Sequence, residues 1–237
     1  MTTLFIRFSS FLAMLALAAA MSSCYYTEDP GPIQQITKTY DINDFSRLEM
    51  GDALNIAVEH GDFGISVSGD RRNIDDLTVA KEGNTLVIRF NENRNRRHDT
   101  YITIRMPALS GVSFSGASIS DISGFDEPAF ELYLSGASVC RVQSDLTDLN
   151  VVVSGASDLR LNGSGFFLRA EISGASVLRA FDLDVRYADL SLSGASAASV
   201  TVSDNLDALA SGASAVVYRG NPEVNAQVSG SSTVHRE

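Results

Sequence analysis

From Val112 to Arg236 apolar side chains recur two residues apart, and the alternation restarts every 18–20 residues at one tetrapeptide. Ser-Gly-Ala-Ser begins at Ser115, Ser135, Ser154, Ser173, Ser193 and Ser211, and Ser-Gly-Ser-Ser follows at Ser229. Two residues before the marker glycine stand Phe114, Leu134, Val153, Ile172, Leu192, Ala210 and Val228. Four before it stand Val112, Leu132, Val151, Ala170, Leu190, Ala208 and Ala226, with mostly polar residues between the two columns. Four and six after it the pattern resumes, as in Cys140 with Val142, Leu159 with Leu161, and Leu178 with Ala180. Period-two alternation predicts a β-strand with one buried face on each side of the marker.

Turn formers fill the rest of each repeat: Ser144-Asp145, Asn162-Gly163-Ser164-Gly165, Ser203-Asp204-Asn205 and Gly220-Asn221-Pro222. Each repeat therefore reads as strand, tight corner, strand, loop. One unit cannot bury its apolar face alone, but stacked units can, each strand pairing in parallel with its counterparts above and below. The fold class expected is all-β, a single-stranded parallel β-helix with seven coils and a length of roughly 34 Å. Gly116, Gly136, Gly155, Gly174, Gly194, Gly212 and Gly230 mark the corners, where glycine permits positive φ and close approach of the next coil. The small alanine and serine after each glycine let corners stack in register, with serine hydroxyls forming ladders. A competing reading makes the row of identical hydroxyls a surface that binds sugar or ice.

Before residue 110 the pattern weakens. Met50-Gly51-Asp52-Ala53 precedes Ser68-Gly69-Asp70 by 18 residues, and Ile65 and Val67 stand before Gly69 at the repeat's own offsets. These read as degenerate early coils. Thr85–Phe90 and Tyr101–Met106 alternate as strands. Asn91–Asp99, carrying Arg94, Arg96 and Arg97, interrupts them as an exposed loop. Ile36–Leu48 is expected to cover one end of the solenoid, because an open end templates aggregation.

The N-terminus adds a different signal. Arg7 precedes the apolar run Phe11–Ala20, which is too short for a membrane span of about 20 residues. Met21-Ser22-Ser23-Cys24 follows. A basic start, an apolar stretch and small residues before a cut site predict a secretory signal over residues 1–23. The cysteine at the cut resembles a bacterial lipobox, with Met21 where leucine is commonest. Cys24 is the expected lipidation site, which anchors the chain to the membrane by acyl chains alone. Residues 24–35, with two prolines and no apolar period, read as a tether, and 36–237 as the β-helix domain: cap and early coils to 110, marker coils from 111.

Charge narrows the partners. Without Arg7 the chain has 17 basic against 29 acidic residues, a net charge near −12. That argues against nucleic acid or an anionic lipid surface as ligand. With Cys24 lipidated, Cys140 is a lone thiol without an internal disulfide partner, and stability must come from packing and hydrogen bonds.

Three features coincide: Tyr40-Asp41-Ile42-Asn43-Asp44-Phe45-Ser46-Arg47-Leu48, the strand Asn84-Thr85-Leu86-Val87-Ile88, and the Ser-Gly-Ala-Ser series. Together they resemble the domain-of-unknown-function family called the putative auto-transporter adhesin head GIN domain, common among predicted lipoproteins of Bacteroidetes. The resemblance spans roughly residues 38–235. It implies a right-handed helix of the pectate-lyase-like class, whereas the repeat length alone also allows a left-handed one. It brings no catalytic residues with it. A lipid-anchored outer-membrane location follows, on either the periplasmic or the outer face.

Some parallel β-helices cleave polysaccharides, which takes carboxylates, or a carboxylate with Arg or Lys, clustered over adjacent coils. The outward acids Asp121, Asp145, Asp148, Asp158, Glu171, Asp182, Asp184, Asp189, Asp204 and Asp207 fall at scattered offsets. Arg141, Arg160 and Arg179 share one offset in three successive coils. That stripe is either a contact row for an anionic glycan or a solvated strand face balanced by acids. His60, His98 and His235 are dispersed without metal-ligand spacing, and Cys140 falls in a core column. No phosphate loop, Gly-x-Ser-x-Gly elbow or calcium nonapeptide occurs, so no cofactor is expected. The reading is a non-enzymatic envelope protein for adhesion or scaffolding, with a glycan or envelope protein as possible partner. The alternative is a carbohydrate-binding or carbohydrate-active β-helix, favoured by a cleft lined with acids and an aromatic such as Tyr187 or Tyr218. Function is sought where the repeats differ, at 91–99, 123–130, 162–166 and along the arginine stripe.

Overall fold

The computed structural model describes residues 31–237, and the compact unit runs from Ile33 to Glu237. The signal segment, Cys24 and most of the tether lie outside the described residues. The unit is an all-β parallel solenoid of about 7 turns, each ~19 residues long.

Its body is five long strands stacked in chain order: β9 (Ile119–Leu134), β10 (Val139–Val153), β11 (Asp158–Ile172), β12 (Val177–Leu192) and β13 (Ala197–Ala210). Every pair is parallel and in the register set by the marker, so Cys140 faces Leu159 and Val151 faces Ala170. Only after β13 does the coil split, at Gly220-Asn221-Pro222, into β14 (Ala215–Gly220) and β15 (Glu223–Val228), with β16 (Thr233–Arg236) last.

The expected loops at 123–130 and 162–166 are therefore strand. Residues 123–130 lie in β9, Asn162–Gly165 in β11, Ser144-Asp145 in β10 and Ser203–Asn205 in β13. Turn residues are tolerated there because the strands ladder onto the coils above and below rather than folding back on themselves. The chain still bends, as register shifts at Gln143/Asp145 and Arg160/Asn162 record.

The early region departs most from a simple succession of coils. β2 (Arg47–Met50) and β3 (Leu54–His60) form one coil, and β6 (Thr85–Phe90) and β7 (Thr100–Met106) form another. β2 and β3 are sandwiched between β6–β7 on one side and β8 (Gly111–Phe114) with β9 on the other, all parallel. The order along the axis is thus not the order along the chain. Asp52, at φ 67, occupies the place of the corner glycine beneath Gly116, and its carbonyl accepts from Ala117 N at 3.1 Å.

Ser68-Gly69-Asp70 is not a corner. It ends β4 (Gly64–Asp70), which pairs antiparallel with β7 and with β1 (Gln35–Tyr40). β5 (Leu77–Glu82) closes antiparallel on β6, and a one-turn helix, α1 (Arg71–Ile74), links the two layers. The cap is accordingly this antiparallel layer, larger than Ile36–Leu48 and excluding Arg47 and Leu48, which belong to a coil.

The core runs without a break from the cap to the sixth marker and tapers along the way. It holds Leu48, Met50, Ile88, Ile104 and Met106 at the cap end, and Ala198, Ala208 and Ala210 near the far end. Each fully buried Leu, Ile or Val contributes about 1.5–3 kcal/mol. Among the described residues nothing covers the last coil, and Val228, in the column of Phe114, is 48% exposed.

Candidate functional site

At each corner the glycine takes a left-handed φ, from 72° at Gly230 to 80° at Gly116. The next residue's N–H donates to the glycine carbonyl one coil below, as from Ala156 to Gly136 at 2.7 Å and from Ala195 to Gly174 at 2.8 Å. Glycine and alanine are exposed, but the closing serine is not: Ser118, Ser138, Ser157, Ser176, Ser196 and Ser214 are all buried. Their hydroxyls mostly fold onto their own corner. Ser138, Ser157 and Ser196 each donate to the carbonyl three residues back at 2.9 Å, and Ser214 does so at 2.7 Å. Hydroxyl-to-hydroxyl contacts of the expected ladder occur at Ser118–Ser138, 3.1 Å, and Ser196–Ser214, 3.4 Å. A hydroxyl buried and spent on a carbonyl cannot meet a ligand, which removes the sugar- or ice-binding reading of these serines.

The arginine stripe exists as a spatial row, with Arg141 beside Arg160 and Arg160 beside Arg179 in the ladder. Its outer members are ion-paired across coils, Arg141 to Asp121 at 3.3 Å and Arg179 to Asp158 at 3.0 Å. Arg160 and Arg179 border a groove of about 450 Å³ whose floor is Ala197, Ala215 and Ser199. The loop at 91–99 is held down by its own cations. Arg94 and Arg96 both pair with Asp76, and the Arg96 guanidinium lies 3.5 Å from the centre of the Phe90 ring.

Most of the outward acids serve as cross-coil ties. Asp189 pairs with Arg169 at 3.6 Å and Asp204 with Arg186 at 2.7 Å, Asp145 accepts from Ser164 at 2.7 Å, and Asp207 accepts from Asn225 of the next coil at 3.0 Å. Among the described residues every carboxylate displaced from its ordinary range is displaced downward. The Arg186 side chain lowers Asp204, Arg219 lowers Glu237, and Arg72 lowers Asp70. A general acid needs the opposite displacement. Asp70 is structural: 1% exposed, it caps α1 through Arg72 N at 2.9 Å, accepts from Arg72 Nη2 at 2.6 Å, and fixes β1 through Gln34 N at 3.2 Å. Cys140 lies in the core, where burial pushes its thiol up to about 12. No group of three or more His, Cys, Asp or Glu positioned for a metal ion occurs among the described residues.

A concavity over β9, β10 and β11 takes Ala129 and Phe130 from the 123–130 stretch and Phe166 from 162–166, and adds residues of β10 and β11 outside them. It measures about 370 Å³ and is lined by Glu131, Asp148, Asn150, Phe166, Phe167 and Arg169 over a floor that includes Ala129. The Phe166 ring, 44% exposed, leans on Tyr187 at 5.2 Å. The signal for it was Phe166-Phe167, two aromatics in succession where the period calls for alternation.

Comparison with known proteins places this architecture. The family model described as "Putative auto-transporter adhesin, head GIN domain" matches residues 44–222. No curated protein matches. A solved putative adhesin from Bacteroides fragilis is similar at 22% identity and TM-score 0.81, covering 86% of this chain and 97% of its own. A putative lipid binding protein from Parabacteroides distasonis is similar at 19% identity and TM-score 0.68, over 86% and 96%. A putative adhesin from Parabacteroides merdae is similar at 17% identity and TM-score 0.66, over 86% and 96%. At these identities the likeness concerns the fold.

Proposed function

The chain belongs to the auto-transporter adhesin head GIN domain family, and from that premise we propose that it is a non-enzymatic lipoprotein of the cell envelope. Cys24 carries the lipid, the outer membrane holds it, and the solenoid offers a rigid face for adhesion or scaffolding. The observation that supports this most is the continuous parallel pairing from β9 to β13, which between its local register shifts holds outward side chains in rows at one coil spacing. Such rows suit an extended partner. The use of most outward acids as ties between coils weighs against the carbohydrate-cleaving alternative.

Fractionation and protease shaving of intact cells test the reading together. The native chain is expected in the outer-membrane fraction, and Cys24→Ala in the soluble fraction with its fold intact. Removal of the solenoid by protease added to intact cells supports the adhesive role, whereas full protection supports scaffolding in the periplasm. A native chain that partitions like Cys24→Ala refutes the anchor.

A further inference from the structure

We propose that the concavity over β9–β11 is a binding site for a neutral glycan chain, with Phe166 and Phe167 as its stacking wall. Parallel register sets Ala129, Asp148, Phe167, Tyr187 and Asn205 side by side in one outward row, and Glu131, Asn150, Arg169, Asp189 and Asp207 in the row two residues on. The coil bends here, so two consecutive side chains turn outward: Thr147 and Asp148 in β10, Phe166 and Phe167 in β11. The step from Ala129 through Asp148 to Phe167 is a step from methyl to phenyl, and it makes the wall of the groove.

The rings are fixed before any ligand arrives. Arg186 lies over both Phe166 and Tyr187, 5.4 and 5.6 Å from their centres, and Arg169 lies 5.2 Å from the centre of Phe167. Single exposed aromatics need no explanation, but adjoining ones beside a concavity mark an interaction site. A platform already held in place loses little freedom on binding.

The chemistry selects the occupant. Sugar rings offer a C–H face that stacks on an aromatic and hydroxyls that both donate and accept. Asp148 accepts, Arg169 donates and Asn150 does both. Glu131 is spent on Arg47 at 2.8 Å and Arg169 is balanced by Asp189 at 3.6 Å. Among the described residues Asp148 has no ion-pair partner, so the groove keeps one uncompensated carboxylate and no uncompensated cation, which disfavours phosphate, sulfate or uronic acid. An extended peptide lacks its usual handle, because the floor strands are paired on both sides and present no free edge. Both rows continue past the groove to Asn205 and Asp207, which fits several sugar units laid along the axis.

This inference rests on the binding reading of the solenoid, but fractionation and shaving judge that reading without touching the groove. The full-length chain, purified in detergent, is run in native gels containing mannan, xylan or a neutral β-glucan, with polygalacturonate and an extended apolar peptide as other probes. At least one neutral polymer is expected to retard it. Phe166→Ala with Phe167→Ala should weaken that binding about tenfold or more, one stacked ring being worth about a factor of ten. Asn150→Ala should weaken it several-fold, and Tyr101→Ala, a half-exposed aromatic on β7, should leave it unchanged. The inference is overturned if no neutral polymer binds, if only polygalacturonate or the peptide binds, or if the double variant melts and binds like the native chain. Should the double variant melt early, the unchanged-fold Asn150→Ala decides alone. A chain that is anchored yet binds no sugar sinks this inference and leaves the envelope reading standing.

Discussion

Replacing Gly194 by alanine separates the two reasons for a glycine at the corner. Gly194 has φ +78°, and a Cβ built there would lie 2.6 Å from the Gly174 carbonyl oxygen and 3.1 Å from the Gly174 nitrogen. That carbonyl already accepts from Ala195 N at 2.8 Å, so it cannot swing away without losing the bond. Gly83, in the β5–β6 hairpin, has φ +63° and nothing within 4 Å of its added Cβ. Gly83→Ala therefore measures the left-handed backbone alone, about 1–2 kcal/mol. Gly194→Ala adds an overpacking term of about 1–3 kcal/mol and one disturbed hydrogen bond of about 1 kcal/mol, for a total of roughly 3–6 kcal/mol. Gly230→Ala should fall between them, because its Cβ also meets a carbonyl, at 2.5 Å, but the terminal coil is free to lift. Urea unfolding followed by circular dichroism and by tyrosine fluorescence, the chain having no tryptophan, gives all three values where the two probes coincide. A Gly194→Ala cost no larger than that of Gly83→Ala would show that φ alone selects glycine and that close stacking plays no part.

The remaining predictions concern ionisation. Cys140, raised by burial from 9.0 to about 12, should not react with iodoacetamide in the native chain near pH 8 and should react fully in denaturant. The folded state keeps the neutral thiol, so this contribution is complete below pH 9.0 and is lost as pH climbs toward 12, a fall that Cys140→Ala should remove from the alkaline limb of the stability profile. Asp70 behaves oppositely. The Arg72 hydrogen bond holds its carboxyl far below 3.8, so its contribution is present above that pH and is lost on acidification through the lower folded value. Asp70→Asn should cost about 1–3 kcal/mol at neutral pH and flatten the acid limb of thermal melts; an unchanged acid limb would remove Asp70 as the cap's pH-sensitive pin.

The columns were legible in the sequence because a stacked coil repeats its environment, so a residue's place relative to the marker decides its burial. The inward positions at two and four before the glycine are buried from Phe114 and Val112 to Ala210 and Ala208. Turn chemistry misled because Asn162–Gly165 satisfies its backbone on neighbouring coils, and a rule for chains folding back on themselves does not apply. Ser68-Gly69-Asp70 misled because it copies the marker's spacing inside an antiparallel strand. No local pattern encodes the insertion of β2–β3 between later strands, since that depends on which edges the cap leaves open. The aromatic groove was half visible. Phe166-Phe167 breaks the alternation, but only the inter-coil register brings Asp148, Asn150 and Arg169 beside it.

The coil has two kinds of bend, and the difference carries the functional argument. The glycine corner is nearly invariant, buries the hydroxyl of its closing serine and shows solvent mainly glycine, alanine and part of its first serine. It fixes the separation and register of coils and offers a partner almost no chemistry. The second bend, at Pro128-Ala129, Thr147-Asp148, Phe166-Phe167 and Arg186-Tyr187, keeps its position while its residues change completely. Contacts in such an array run only between neighbours. A substitution that turns outward at the second bend therefore disturbs few core contacts, so those positions are free to vary without loss of the stack. Recognition belongs where variation is cheap and geometry is constant, and the bend that holds Phe166 and Phe167 meets both conditions.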